Sequence, residues 1–427
     1  MPPVTQAPHA SSLASAPPDT LLPGVSPEAA EPWLGSFLAG LSGWTLDAFD
    51  FFLVVLALTS IGKEFGQSVP KMLAASWATL ALRPVGAFLF GAISDRYGRR
   101  RPLVFNLCFF SVVELATAFT HSYTQFIVVR ALFGIVMGGQ WGLGAALAME
   151  KVPVRLRGVL SGLFQQGYAI GFLLAAGAYF ALFDRYGWRP LFFVGSIPAL
   201  LAAAYVALQV TEPESWKHNR SKSFNELGRT LLSHWKLFLY FTVFMMAMHM
   251  TSHGTQDMYP TFLEKDWGII GKQKAMLTAI GSVGAIIGGL CVGWISDRIG
   301  RRLAMRLAML GAIIAIPLWA FSHTLPMLIC GALLMQFCVQ GAWGVVPAHV
   351  AELSPDAVRG TLPGIGNQVG VVLSGGVAFI QALIARSGTS YAAAMAMTAA
   401  TVFCLAGLLT FAGHEHKSKQ FGLREGK

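Results

Sequence analysis

The chain has 427 residues, of which 54% are hydrophobic and only 12% charged. Soluble proteins carry charge on about a quarter of their residues, so this composition excludes an ordinary water-soluble globular fold. The net charge of +10 would suit a nucleic-acid partner if it were clustered on one surface, so its placement along the chain has to be read first.

Residues 1–32 are rich in Pro, Ala and Ser and contain no Lys or Arg. Lacking the basic start of a signal peptide, they are expected to form a disordered tail. Apolar runs of about 20 residues then recur, each long enough to cross a hydrocarbon core about 30 Å thick. They predict twelve spans, near 34–62, 72–93, 102–121, 124–149, 158–183, 188–210, 236–263, 273–295, 303–321, 325–350, 360–386 and 389–412. The expected organisation is an N-terminal six-helix bundle (33–210), a charged linker (211–235), a C-terminal six-helix bundle (236–412) and a short tail (413–427).

Charged side chains at mid-bilayer cost at least about 2.5 kcal/mol, so each one in a span is a functional candidate. Span 1 places Asp47 and Asp50 three residues apart, on one helix face. Asp50 is the first candidate for a proton carrier and Asp47 the second, the alternative for Asp47 being a hydrogen-bond partner in helix packing. Arg83 lies halfway along span 2. It keeps its charge, and its planar fork matches a carboxylate. It is either the anchor of an anionic substrate or the partner of Asp47 or Asp50, and one Arg can serve both in turn. Glu114 in span 3 has no assigned role and is expected to face protein, and Arg130 lies inside span 4.

Span 7 contains "HMTSHGTQDMYPT", residues 249–261. His249, His253 and Asp257 recur every four residues and so line one helix face, with Gln256 and Thr261 beside it and Ser252 and Thr255 flanking it. Lipid cannot satisfy such a face, which is therefore expected to border a water-filled gap. A plain helix–helix contact would need only one or two of these groups. Gln336 and Gln340 form a second polar stripe in span 10, and Gln165, Gln166, Asn367 and Gln368 add amides in spans 5 and 11. Such amides bind substrate hydroxyl or keto groups, or serve as interhelical hydrogen bonds. The five cysteines match no metal spacing and are expected to be small core residues.

The charge follows topology. Of 31 Lys and Arg, 21 fall in alternate loops and the C-terminal tail, eight in the opposite loops, and two (Arg83 and Arg130) within spans. This positive-inside pattern puts both termini in the cytoplasm and removes the need for a nucleic-acid partner.

The chain also repeats itself. "GAISDRYGRR" at 91–100 matches "GWISDRIGRR" at 293–302, so Asp95 maps to Asp297 at an offset of 202. The same offset carries Trp141 to Trp343, Glu150 to Glu352, Arg157 to Arg359 and Gly158 to Gly360. A duplicated six-span unit is the architecture of many secondary transporters.

These paired loops resemble the signature of the major facilitator superfamily, as do "RALFGIVMGG" at 130–139 and the Glu-to-Arg-Gly ends of spans 4 and 10. The resemblance implies an all-α membrane fold of twelve helices in two pseudo-symmetric bundles. It implies a cytoplasmic gate built from Asp95, Arg96, Arg99, Glu150 and Arg157 with Asp297, Arg298, Arg301, Glu352 and Arg359. It sets Arg130 against span 1, in a structural or proton-linked ion pair with an Asp. The 252–261 stretch, "DAFDFF" at 47–52 and "QFCVQGAWGVVPAH" at 336–349 further resemble lactate/pyruvate:proton symporters of the sialate:proton symporter family. The departure is His249, where that pattern has Asn. An imidazole titrates near neutrality and an amide does not, so His249 adds either a second protonatable group or a preference for a bulkier or dianionic acid.

The expected function is proton-coupled symport of a small monocarboxylate in the cytoplasmic (inner) membrane by a monomer, with sialic or aromatic acids as the alternative cargo. The candidate substrate-binding residues are Arg83, His249, His253, Gln256, Asp257 and Gln340. The candidate proton carriers are Asp47, Asp50, His253 and Asp257. No ATP-binding loop, metal spacing or nucleophile–base set is present in the sequence, so neither a cofactor nor an enzymatic activity is expected.

Overall fold

A computed structural model describes residues 32–427 except 220, 222, 413, 414, 418 and 422–427. The expected disordered tail therefore lies outside the described residues, apart from Pro32. The described residues form α-helices and two short 3-10 turns, with no strands. The first half holds α1 (Trp33–Glu64), α2 (Val69–Tyr97), α3 (Arg100–Ala118), α4 (Tyr123–Lys151), α5 (Arg157–Gln165), α6 (Gly167–Tyr186) and α7 (Arg189–Gln209). Two linker helices follow, α8 (Glu214–Asn219) and α9 (Phe224–Ser233). The second half holds α10 (Trp235–Gln256), α11 (Tyr259–Lys265), α12 (Gly271–Ile299), α13 (Arg301–Ala320), α14 (Leu325–Leu353), α15 (Thr361–Ser374), α16 (Val377–Arg386) and α17 (Tyr391–Leu409).

Among the described residues, eleven spans are individually long and apolar enough to cross a membrane. The seventh, Trp235–Lys265, qualifies only together with α9, to which it is bent by 69°. Its own polar residues are the physical reason. Three expected spans are broken. Span 5 divides into α5 and α6 at Gln166, span 7 into α10 and α11 at Asp257–Met258, and span 11 into α15 and α16 at Gly375–Gly376. Pro260, the second residue of α11, has no amide hydrogen to continue the α10 ladder. The Gly pair in span 11 leaves the backbone free to bend.

Close backbone crossings hold each half together. A Cβ on Gly86 would lie 1.7 Å from the Ile135 carbonyl oxygen, and one on Gly138 would lie 2.0 Å from that of Arg83. Helices α2 and α4 therefore touch backbone to backbone beside Arg83, as small residues permit in membranes. The repeat reproduces this contact: a Cβ on Gly288 would lie 2.1 Å from the Phe337 carbonyl oxygen, which joins α12 to α14. The two halves meet where α5 packs on α12 and α15 packs on α2.

One expectation is corrected here. Of the five cysteines only Cys338 is buried; Cys108 is half-buried, and Cys291, Cys330 and Cys404 are exposed on the outer surface. Thiols are apolar enough to sit on a hydrocarbon-facing helix surface, so occurrence in a span does not place them in the core.

Candidate functional site

Two polar regions lie along the axis between the halves. The first is at the end carrying the Arg-rich loops. Asp95, near the end of α2, accepts the amide N–H groups of Gly360 and Thr361, both at 2.9 Å, at the start of α15. Asp297 on α12 accepts those of Gly158 and Val159, at 2.7 and 3.1 Å, at the start of α5. Each carboxylate thus caps a helix belonging to the other half, where free amide N–H groups and the helix dipole favour an anion. Arg157 reaches Glu352 at 3.1 Å and Arg359 reaches Glu150 at 3.4 Å, again across the halves. Arg99 and Arg301 stay within their own halves: Arg99 pairs with Asp95 and Glu150, and Arg301 pairs with Asp297 and Glu352.

Arg96 and Arg298 do not join this lattice, which corrects the expected gate. Arg96 donates to the Ser221 carbonyl in the linker, and Arg298 stacks on Trp294 of its own helix. The turn explains it: α2 and α12 end at Tyr97 and Ile299, and the positive-φ residues Gly98 and Gly300 turn Arg99 and Arg301 back to the Asp side chains, while Arg96 and Arg298 stay on their helices and point elsewhere. Further chain closes over the lattice. Glu212 accepts the amide N–H groups of Arg99 and Arg100 beside Gly98, whose φ of +108° suits glycine. Burial pushes the Glu212 carboxyl above its ordinary range, against the pull of those amides. On the other half Glu415 accepts the amide N–H of Arg302. The Phe421 ring lies under both Arg157 and Arg359, at 4.1 and 3.8 Å.

The second region is central. Asp47 accepts a single hydrogen bond from Arg83, at 3.3 Å, and Asp50 accepts one from Arg130, at 2.9 Å. The two aspartates share a face of α1 as expected, but they serve different arginines. Each pair is incomplete: Asp47 Oδ1, Arg83 Nε, Asp50 Oδ1 and Arg130 Nε are buried without partners. Arg130 also donates to Thr117 and lies 4.3 Å from the Phe133 ring centre.

Facing these pairs is the polar stripe of α10. His253 Nδ1–H donates to Asp257 at 3.1 Å, and these side chains are 37% and 44% exposed. His249 Nε2–H donates to Asn367 of α15 at 2.9 Å, and its ring lies 4.7 Å from that of Trp343. Gln256 donates to Gln336 at 2.9 Å, and Gln340 donates to Ser252 at 3.2 Å, which ties the stripe to α14. The two halves sense one another here. The charge of Arg83 acts on His249, and Tyr168 of α6 lies within the fields of Arg83, Asp47 and Asp257. Tyr168 stacks on Trp44 and meets Phe52 edge-on, and Phe52 in turn meets Phe172. Polar groups of α10 and α14 thus stand in one half and this set of aromatic rings, from α1 and α6, in the other.

Sequence reasoning weighed Gln336 and Asn367 as amides without placing them among the site residues, and it did not single out Trp343, Trp44 or Tyr168 for the site. Offset 202 was the available signal for Trp343, whose counterpart is Trp141. The aromatic wall had none, because rings are common in every span. Thr261, on α11 beyond the break, is not part of the α10 stripe.

An ion-pair lattice joining two six-span halves at one end, buried acid–base pairs inside the first half and an exposed polar stripe on the second suit a secondary transporter. Sequence comparison gives the same answer. The profile of the Major Facilitator Superfamily matches residues 32–262, and that of the "Sugar (and other) transporter" family matches residues 237–415. The chain belongs to the Major Facilitator Superfamily.

Among its relatives is a carboxylic acid transporter protein homolog of Saccharomyces cerevisiae, 30% identical over 89% of this chain and 68% of that one. A cis,cis-muconate transport protein of Acinetobacter baylyi is 26% identical, covering 79% and 84% of the two chains. A sialic acid transporter of Escherichia coli is 25% identical, covering 79% and 83%. Among solved structures, a proton:xylose symporter superposes with a TM-score of 0.74 at 19% identity over 91% of this chain and 98% of that one. At that identity it supports the fold alone.

Proposed function

We propose that this transporter carries a small monocarboxylate together with a proton by alternating access. The observation that carries the reading is the half-used fork of Arg83. It is fixed by a backbone crossing at Gly138, bonded once to Asp47, and close enough to act on His249 and Tyr168. A substrate carboxylate accepts two parallel N–H bonds where Asp47 accepts one, so it competes well once Asp47 is protonated. Because Asp50 is held by Arg130, Asp47 rather than Asp50 is the carboxyl that exchanges with substrate. His253 and Asp257, at the open end, are the first groups that an entering acid and its proton would meet. Neutralising the loaded site lowers the cost of moving it through the low-dielectric centre. With the Arg-rich loops in the cytoplasm, as their charge suggests, the conformation described is outward-open in the cytoplasmic (inner) membrane.

The test is uptake of labelled lactate into membrane vesicles under an imposed pH gradient. Uptake should rise with external acidity and fall at least tenfold in Arg83→Ala. Wild-type rates in that variant would remove the anchor role, and uptake indifferent to pH would remove the coupling.

A second reading has its own support. The wall of Trp44, Phe52, Tyr168 and Phe172 suits a planar unsaturated acid, and relatives are named for muconate and niacin. Counterflow in proteoliposomes with lactate, pyruvate, sialate and benzoate separates the two, with benzoate as the probe for the ring-lined wall.

A further inference from the structure

Glu114 takes part in neither polar region described above, yet its burial is complete and both of its carboxyl oxygens lack a hydrogen-bond partner. It lies on α3 where that helix packs against α7. A Cβ on Gly195 of α7 would stand 2.4 Å from Glu114 Oε1 and 3.4 Å from Leu53 Cδ1 of α1. The absence of a side chain at Gly195 thus leaves the space that the carboxyl occupies, in a seam between α1, α3 and α7.

The neighbours of that seam belong to one ion pair. One turn from Glu114 along α3, Thr117 accepts a hydrogen bond from Arg130. One turn from Leu53 along α1, Asp50 accepts the other Arg130 bond. Glu114 therefore sits one helical turn from the Asp50–Arg130 pair, counted along either helix. Among the described residues, the charged groups that these contacts bring nearest, counted in helical turns, are Asp50 from α1 and Arg130 from α4. Arg83 of α2 is engaged with Asp47, and α7 carries charge only at Arg189, its first residue.

An ionised carboxylate without partners in this apolar seam would be far too costly, so Glu114 holds a proton of its own. Even as a neutral acid it forgoes hydrogen bonds, a loss that a leucine at that place would not suffer. Packing alone gives no reason for an acid here. We infer that Glu114 is a proton-binding site that exchanges its proton with Asp50 during the transport cycle. The step balances: the proton leaves the Glu114 carboxyl and binds the Asp50 carboxylate, and the Arg130 guanidinium keeps its charge and turns from Asp50 to the new Glu114 carboxylate. The unpaired Asp50 Oδ1 and Arg130 Nε are the atoms that receive the proton and the new contact. The inference rests on the proton-coupled reading above and extends it to a group one turn deeper in the first half.

The experiment uses the full-length protein in proteoliposomes, with Glu114→Gln as a neutral variant of the same shape. Substrate counterflow, which needs no net proton movement, is measured beside accumulation driven by a pH gradient and beside proton entry reported by an internal pH dye. Counterflow within twofold of wild type, with driven accumulation and proton entry reduced about tenfold, is the expected result, and Glu114→Asp should recover part of the loss. Wild-type accumulation in Glu114→Gln would overturn the inference. So would an equal loss of counterflow and driven uptake, which marks a packing residue. Should the wild type itself show no pH-driven accumulation, it is the coupling reading that fails.

Discussion

The ion-pair lattice at the Arg-rich end and the centre of the molecule are built from the same residue types, yet they are finished differently. In the lattice, Asp95 and Asp297 each accept two amide N–H groups of the opposite half and pair with an Arg of their own. Among the lattice side chains only Arg157 has a buried atom, Nε, without a hydrogen-bond partner. At the centre, both Asp–Arg pairs rest on one bond each and leave an oxygen and a nitrogen unpaired. A saturated lattice holds one conformation. A half-satisfied one has capacity for another partner, whether a substrate carboxylate or a proton.

Four substitutions sharpen this contrast, in order of the stability each should remove. Glu352→Gln at the gate leaves Arg157 and Arg301 without their shared carboxylate, and loss of one partner of a buried pair costs about 3–5 kcal/mol. The detergent-solubilised variant should unfold at a markedly lower temperature, and cysteines introduced at the gate should become accessible to a thiol reagent. An unchanged melting temperature would mean that the lattice is not saturated. Gly138→Ala forces α4 away from the Arg83 backbone, an overpacking worth about 1–3 kcal/mol. Its melting temperature should fall less than that of Glu352→Gln, while its apparent substrate affinity weakens because Arg83 moves with the crossing.

Asp47→Asn removes the carboxylate of a pair held by one bond but keeps an amide oxygen to accept it, so stability should fall less than in Glu352→Gln, whose carboxylate serves two arginines. Its signature is functional: counterflow persists while pH-driven accumulation disappears. Full coupling in this variant would return the exchanging role to another carboxyl. His249→Asn should be the mildest, since an amide can still bond Asn367. Uptake should stay within about threefold of wild type, with the change confined to the ranking of acids in a competition panel.

Much of this was legible in the chain because membrane physics is severe. A span must be a helix, a charge within it needs a reason, and a polar stripe at intervals of four must face something other than lipid. The offset of 202 made the lattice readable, since Asp95 and Asp297 share one local pattern and the structure gives them mirrored contacts. Arg96 and Arg298 belong to the same pattern and were misread, because a motif records which residues recur and not which way each one points. The breaks in spans 5, 7 and 11 were hidden as well. Hydropathy averages over a window and cannot resolve a single-residue interruption at Gln166 or Asp257.

Residue order alone determined the span positions, the duplicated unit and the short inventory of intramembrane charges, since each follows from the cost of placing polar groups in hydrocarbon. The pairing of those charges was decided by tertiary structure. Asp47 and Asp50 are equivalent along α1, and only the crossing of α2 over α4 at Gly138 and the approach of Arg130 from α4 assign one to each arginine. Glu114 makes the same point: its isolation comes from the missing side chain at Gly195, a residue 81 positions away in the sequence. Contacts of that kind depend on which helices meet and at what depth, which no local pattern encodes.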